Sequence, residues 1–338
     1  MIAADQVVAY IERRLPDARN IVVSGIARIP GGASRETWSC DAEWEEDGRT
    51  VQRGLIIRRD PAASLLETDR QIEFRIYEAM ARSGVPVPPV YWMEPEGGPL
   101  ERPFFIMGRV PGQATAQYLL SPAYPGSREE IARQKASILA RIHRVDWRAQ
   151  GIDFLGEPPT PETAAAQEID RWESIMRADA LEPQPVLELA LRWLKRHRPL
   201  APAVTIVHGD YRTGNFLYDD TRITAVLDWE MVHLGDPMED IAWLCVRSWR
   251  QGGDVAGGLA PRETFYRLYE EAGGYPVDRE SVFFWEVLGN LKLAVIFLTG
   301  GHTFVDERSS DLILALTTRM IPGIEREILT LLESFDAA

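Results

Sequence analysis

Apolar runs bounded by glycine turns mark three strands near the start of the chain: Val22 to Ile29, Thr37 to Trp44 and Thr50 to Arg59. Gly31-Gly32 separates the first pair, and Asp47-Gly48 gives the hairpin signal before the third. Ahead of them, Met1 to Leu15 spaces its apolar residues for a short amphipathic helix, with Asp5 and Glu12 among them. Helical spacing returns over Leu66 to Arg82, where Ile72, Ile76, Ala79 and Met80 share a face, and Ser83-Gly84 ends it. Val85-Pro86-Val87-Pro88-Pro89 must run extended, because proline fixes φ and restricts the residue before it. Val90 to Met93 and Pro103 to Met107 predict a further hairpin, turned at Glu96-Gly97-Gly98-Pro99. Sheet dominates this part, joined by one long helix, which is an α+β pattern.

After Gly108 to Gly112, where Gly-Arg-Val-Pro-Gly interrupts the pattern, helices take over. Glu129 to Val145, Thr163 to Met176 and Pro185 to His197 are predicted helices. A short β-rich island, Thr205 to Asp228, interrupts them, and helices follow to the end. The most apolar late stretch, Leu293 to Thr299, is far shorter than the ~20 residues of a membrane span.

Charge narrows the choice of partner. With 37 Lys+Arg against 51 Asp+Glu the formal charge is −14, which argues against nucleic acid or an anionic membrane as partner, since both need a basic face. Two cysteines, Cys40 and Cys245, cannot build a disulfide framework, and the first residues lack the basic-then-apolar form of a signal peptide. A cytoplasmic protein is expected; nothing in the pattern speaks to an oligomeric state.

The island carries the chemistry. It contains His208-Gly209-Asp210, then Asn215, two short apolar strands around the turn Asp219 to Arg222, and Asp228-Trp229-Glu230. A hairpin brings its open ends together, so Asp210, Asn215 and Asp228 should converge at one mouth. Mg²⁺ prefers oxygen ligands, and Asn215 and Asp228 offer a carbonyl and a carboxylate. Asp210 can then accept a proton from an attacking hydroxyl. An Asp, four intervening residues, an Asn and a later metal-binding Asp is also the grammar of the protein-kinase catalytic loop.

These residues, together with Leu234-Gly235-Asp236-Pro237, resemble the aminoglycoside phosphotransferase family, which is related to choline and homoserine kinases and to kinase-like domains attached to some acyl-CoA dehydrogenases. The resemblance implies a bilobal protein-kinase-like fold: an N-lobe over 1–107, a hinge over 108–112 and a mainly helical C-lobe over 113–338, with ATP (or GTP) and Mg²⁺ between the lobes. It implies Asp210 as catalytic base and Asn215 and Asp228 as Mg²⁺ ligands. His208 and Gly209 would shape the loop. Gly31, Gly32, Ser34, Arg35 and Thr37 fit the turn that covers the nucleotide. Glu73 fits the helix carboxylate that anchors the phosphate-binding cation, and backbone groups of Gly108 and Val110 would bind adenine. That cation is often Lys; here the strand reads Leu55-Ile56-Ile57-Arg58-Arg59, so Arg58 takes the role with Arg59 as competitor. Strand alternation puts the two guanidinium groups on opposite faces.

The function expected is ATP-dependent phosphorylation of a hydroxyl on a small molecule, either a hydroxyacyl compound or an aminoglycoside- or macrolide-like antibiotic. Residues 113–130 and 260–310 would shape the acceptor site, with Asn290, Lys292, His302 and Asp306 as candidates. Two other classes compete: a nucleotide-binding pseudokinase serving as an interaction module, and a metal-dependent hydrolase. Asp236 and Asp240 would tie the following helix to the loop, while Trp172, Trp193, Trp243, Trp249 and Trp285 fall on core positions.

Overall fold

A computed structural model describes residues 2–29, 36–60, 69–250 and 253–336. The chain divides into two compact units, Met1–Pro111 and Gly112–Ala338.

In the first unit, α1 (Ala4–Arg14) leads into β1 (Arg19–Ile29), β2 (Glu36–Glu46) and β3 (Arg49–Arg59); α2 (Arg70–Arg82), β4 (Val90–Glu94) and β5 (Phe104–Gly108) follow. The strands form one antiparallel sheet in the order β1-β2-β3-β5-β4. Asp47 and Gly48 make the β2–β3 turn with φ of 51° and 72°, the two positive values that match a hairpin's twist. Alternation turns Trp38, Cys40, Ala42 and Trp44 to one face, where they form a core with Val7, Tyr10 and Ile11 of α1 and with Leu55, Ile57, Phe104 and Ile106. On the other face, Phe74 and Tyr77 of α2 lie with ring centroids 6.0 and 6.2 Å from that of Phe105. Directly opposed residues share a face, and Arg58 pairs with Thr37 and Phe105, so Arg58 points toward α2 and Arg59 away from it. Asp69 caps α2 by accepting the Gln71 N–H at 2.7 Å.

The second unit runs α3 (Ala116–Leu120), α4 (Arg128–His143), α5 (Ala164–Asp179), α6 (Pro185–Arg196), β6 (Thr205–Val207), β7 (Phe216–Tyr218), β8 (Ile223–Val226), β9 (His233–Gly235), α7 (Met238–Trp243), β10 (Val255–Ala256), β11 (Ala260–Pro261), α8 (Arg262–Glu271), α9 (Arg279–Val305), α10 (Leu312–Thr317) and α11 (Ile321–Asp336). Helices α5, α6, α7, α10 and α11 pack around α9. The stretch Leu293 to Thr299 is only part of this 27-residue helix, so the short-span argument from the sequence does not hold. By length and composition α9 could cross a membrane, yet 72% of its most apolar window is buried within the protein. It also buries Glu286, Asn290 and Lys292.

Two small ladders position the loop between β6 and β7. β7 pairs with β8, Phe216 opposite Val226, and β6 pairs with β9, Val207 opposite His233. The second pairing was not legible in the sequence, because a three-residue strand has no measurable period.

Candidate active site

The loop from His208 to Asn215 is held from within and from below. The Leu227 N–H donates to the Asn215 carbonyl at 2.8 Å, extending the β7–β8 ladder by one step and setting Leu227, the residue before Asp228, opposite Asn215. The Asn215 amide nitrogen donates to the Asp210 carboxylate (Oδ2, 2.6 Å) and to its backbone carbonyl (3.0 Å). Trp243 donates its indole N–H to Asp210 Oδ1 at 2.7 Å. Arg212 lies 3.2 Å from the same carboxylate and places its guanidinium 5.0 Å from the Trp249 ring centre. The Asp210 carboxylate is thus oriented by three donors of different kinds, an amide, an indole and a guanidinium.

Backbone conformation in the loop is special. Gly209 has φ of +80°, and a Cβ there would lie 2.4 Å from the Met231 carbonyl oxygen, so only glycine fits. Asp228 is left-handed at φ 58°, ψ 62°, which costs a side chain of this kind about 1–3 kcal/mol. Such strain clusters at functional sites.

Asp240 is the anchor beneath. It accepts the N–H groups of His208 (2.7 Å) and Gly209 (2.9 Å), and a ring nitrogen of His143 lies 3.2 Å away. Burial pushes its pKa up, but the hydrogen bond and charge of His143 and the bond from the His208 backbone N–H outweigh that, and the net shift is downward. His208 is fully buried, and burial lowers its pKa against the pull of Asp240 and Asp210. Its neutral form is the one the geometry fits: Nδ1 accepts the Asp210 N–H at 3.2 Å and Nε2 donates to the Leu227 carbonyl at 2.9 Å. His208 therefore braces both arms of the loop.

A second layer lies below. Lys292 donates to the Gly209 carbonyl at 2.6 Å and to Glu239 at 3.1 Å. His233 lies 3.0 Å from Glu239 and 3.8 Å from Glu168. Burial works against charge on His233, yet Glu168 and Glu239 push its pKa up to about 9. Burial likewise opposes ionisation of Glu239, and His233 and Lys292 pull its pKa down to about 2. The Glu168, His233 and Glu239 ligand atoms lie within 4.8 Å of one another. With a proton on His233 and Lys292 alongside, this is a closed set of ion pairs.

In the first unit, Arg58 meets Glu73 at 3.3 Å, both buried. Arg59 is committed elsewhere, to Glu36 at 2.7 Å and to the Leu100 carbonyl at 3.2 Å. Thr37 lies in β2 opposite Arg58. The Gly108 N–H donates to the Pro89 carbonyl at 2.7 Å, so that donor is already used within the unit. A Cβ on Gly108 would lie 2.8 Å from Pro89 and 2.9 Å from the Tyr91 hydroxyl. Val110 follows Arg109, whose N–H donates to the Gly54 carbonyl at 2.8 Å. Gly31, Gly32, Ser34 and Arg35 lie outside the described residues.

Two acceptor candidates are corrected. Asn290 is buried and donates to the Glu286 carbonyl one turn back at 2.9 Å, and Lys292 is buried under Gly209, so neither can meet a ligand. His302 lies 3.0 Å from Asp179 and 3.1 Å from Asp306. Sequence reasoning missed the role of Trp243, which read as core, and of Arg212, whose position two residues after Asp210 was the available signal. It also missed Lys135, buried on α4, which donates to the Thr213 hydroxyl at 3.2 Å with its Nζ 4.1 Å from the Phe216 ring centre.

This geometry meets an independent likeness. Residues 25–281 match the phosphotransferase enzyme family, and the chain belongs to that family. It is 31% identical over 236 residues to acyl-CoA dehydrogenase family member 10 of Mus musculus, which covers 65% of this chain and 22% of that protein. It is 29% identical over 153 residues to viomycin phosphotransferase of Streptomyces vinaceus, covering 42% and 49%. The chain thus spans less than a quarter of the first relative and about half of the second. A Ralstonia eutropha protein assigned to the aminoglycoside phosphotransferases shares the fold with a TM-score of 0.73 over 98% of both chains, at 24% identity. The fold is accordingly kinase-like, an antiparallel-sheet lobe and a largely helical one.

Proposed function

We propose that the protein transfers the γ-phosphoryl group of ATP to a hydroxyl of a small molecule. The hydroxyl oxygen bonds to the γ-phosphorus, the bond to the ADP oxygen breaks, and the hydroxyl proton passes to Asp210. The observation that carries this reading is the orientation of Asn215. Its amide nitrogen donates to Asp210 at 2.6 Å, which leaves its carbonyl oxygen as the arm not spent on the base, and Asp228 directly follows Leu227, whose N–H holds the Asn215 backbone carbonyl. A carbonyl and a carboxylate are oxygen donors of the kind that suits Mg²⁺. When bound there, the ion would neutralise charge on the phosphates.

The chain's own residues supply the rest. Trp243 and Asn215 fix the Asp210 carboxylate, so the acceptor hydroxyl meets a base already oriented. Arg58, held by Glu73, offers a permanently charged fork for phosphate oxygens. Thr37 and backbone groups at Gly108 and Val110 complete the nucleotide contacts, Gly108 through its carbonyl alone.

Arg212 bears on the acceptor. A guanidinium beside Asp210, stacked toward Trp249, repels a polycation such as an aminoglycoside and favours a neutral or anionic hydroxyl compound of the hydroxyacyl kind.

A panel of hydroxyl compounds incubated with Mg-ATP, read by the acceptor's gain in mass, tests the reading. Asp210→Ala should keep nucleotide binding and lose about 10²–10⁴ in turnover. Wild-type phosphorylation by that variant rejects the base. Nucleotide binding with no acceptor modified points to the pseudokinase, and phosphate release that needs no acceptor points to the hydrolase.

A further inference from the structure

We propose that Lys292 is a positioning residue for Asp210, acting through the Gly209 carbonyl and the Trp243 ring; this rests on the reading of Asp210 as the base. Lys292 lies mid-way along α9, the core helix of its unit, and is 2% exposed. Burying an ammonium in that place is costly unless it is paired and bonded. Glu239 supplies the pair at 3.1 Å. Stability alone would be served as well by an apolar pair of similar volume. What the ammonium adds is a bond to the peptide carbonyl that immediately precedes Asp210, at 2.6 Å.

That carbonyl belongs to the residue with φ of +80°, the point at which the chain reverses into the loop. Its N–H is held by Asp240 at 2.9 Å, so the Gly209 amide and carbonyl are fixed from two different helices, α7 and α9. With both ends of Gly209 fixed, the direction in which Asp210 leaves the backbone has little freedom. The same ammonium lies 4.6 Å from the centre of the Trp243 ring, whose indole N–H holds Asp210 Oδ1. A cation over the ring face attracts it. Lys292 thus acts on the base along two routes, through the peptide and through the indole.

The remaining charges keep Lys292 in place. Glu239 also faces His233 across 3.0 Å, and His233 faces Glu168 across 3.8 Å. Trp172 donates its indole N–H to Glu168 at 3.1 Å and has its ring 5.6 Å from the Lys292 ammonium. The chain of alternating charges leaves Glu239 one oxygen for each cation, Oε1 for Lys292 and Oε2 for His233.

The full chain tests this with Lys292→Met/Glu239→Gln, which removes the ammonium without leaving a buried carboxylate facing Met, and with Glu239→Gln alone, which leaves the ammonium on Gly209. Two readouts are taken: protection of the Trp243 indole N–H against hydrogen exchange, and the kcat and nucleotide KM of phosphoryl release or transfer from Mg-ATP. The double variant should lose about tenfold or more in indole protection and about 10- to 100-fold in kcat with KM unchanged, the scale of a small misplacement of a reacting group. Glu239→Gln should keep most of both. A double variant with wild-type protection and kcat overturns the proposal, as does a Glu239→Gln variant that loses as much as the double. Hydrogen exchange in the wild type tests the same point without any variant: the Trp243 indole and the Gly209 and Asp210 amides should exchange with the same opening as the middle of α9, and much faster local exchange overturns the proposal. A wild type that turns over no nucleotide sinks the phosphotransferase reading, and the exchange readouts still decide the role of Lys292.

Discussion

Trp243 donates its indole N–H to Asp210 Oδ1 at 2.7 Å from the last residue of α7, and Asp240, three residues earlier in that helix, accepts the peptide N–H groups of His208 and Gly209. One six-residue helix therefore holds both the backbone and the carboxylate of the same loop. Asp236 prepares the helix by accepting the Met238 N–H and the Trp285 indole, each at 2.9 Å. A residue that looks like core thus reaches the carboxylate proposed as the base.

Trp243→Phe keeps the aromatic face toward Lys292 and removes only the donor to Asp210. A hydrogen bond to a charged group is worth about 1.5–3 kcal/mol, so kcat should fall about 10- to 100-fold. Nucleotide binding, measured by titration calorimetry, should not change, since the indole bond is to the proposed base. Weakened nucleotide affinity with unchanged kcat would contradict the assignment of Trp243 to Asp210.

Gly209→Ala meets two obstacles at once. Its Cβ would approach the Met231 carbonyl to 2.4 Å, and its φ of +80° is one that side chains rarely adopt. The backbone strain alone costs about 1–3 kcal/mol, and the clash adds to it. Urea unfolding should show a lower midpoint with an unchanged slope. A variant as stable as the wild type would mean that the loop relaxes freely, which the bonds from Asp240 and Lys292 oppose.

The strands of the first unit and the helices of the second were legible because long elements carry a period. The two faces of the sheet follow from alternation in β2 and β3, which also separates Arg58 from Arg59; that Arg58 is the one facing Glu73 is read from the folded chain. The second layer of the site was not legible. Lys292, Glu239, His233 and Glu168 come from three helices and a three-residue strand, and their meeting depends on how α9 packs against α5 and α7. Trp243 and Trp285 share the helical spacing of ordinary core residues, and only the folded chain reveals that their N–H groups end on Asp210 and Asp236. The state of Gly108 was hidden for a related reason: a sequence shows that a glycine is present, not that its N–H is already used by Pro89.

His233 gives the fold a dependence on alkaline pH. Its pKa rises from the ordinary 6.5 to about 9 in the folded chain, where burial is outweighed by Glu168 and Glu239, with Arg171 opposing. A group bound more tightly to its proton in the folded state stabilises fully below pH 6.5, and that contribution fades as pH passes through about 9. The loss should be on the order of 3–4 kcal/mol at most. Denaturant unfolding between pH 6 and 10 checks it (the range follows from the two pKa values). His233→Gln should flatten the alkaline fall relative to the wild type, and an equally steep fall in the variant would place its origin elsewhere.

Asn215→Asp exchanges a donor for an acceptor where Asp210 most needs a donor. The amide nitrogen now sits 2.6 Å from Asp210 Oδ2 and 3.0 Å from the Asp210 carbonyl. A carboxylate in its place puts two like charges within hydrogen-bond distance, and such pairs hold one proton between them until the pH is raised. Metal binding would partly relieve this, because two carboxylates attract a divalent ion more strongly than one carboxylate and an amide. The variant should therefore show two opposite changes: tighter Mg²⁺ dependence, and an acid limb of the pH–rate profile displaced upward by about a unit or more. Added Mg²⁺ should move that limb back toward the wild-type position. An acid limb unmoved at low Mg²⁺ would show that Asn215 and Asp210 do not meet during turnover, and the oriented base would lose its principal support.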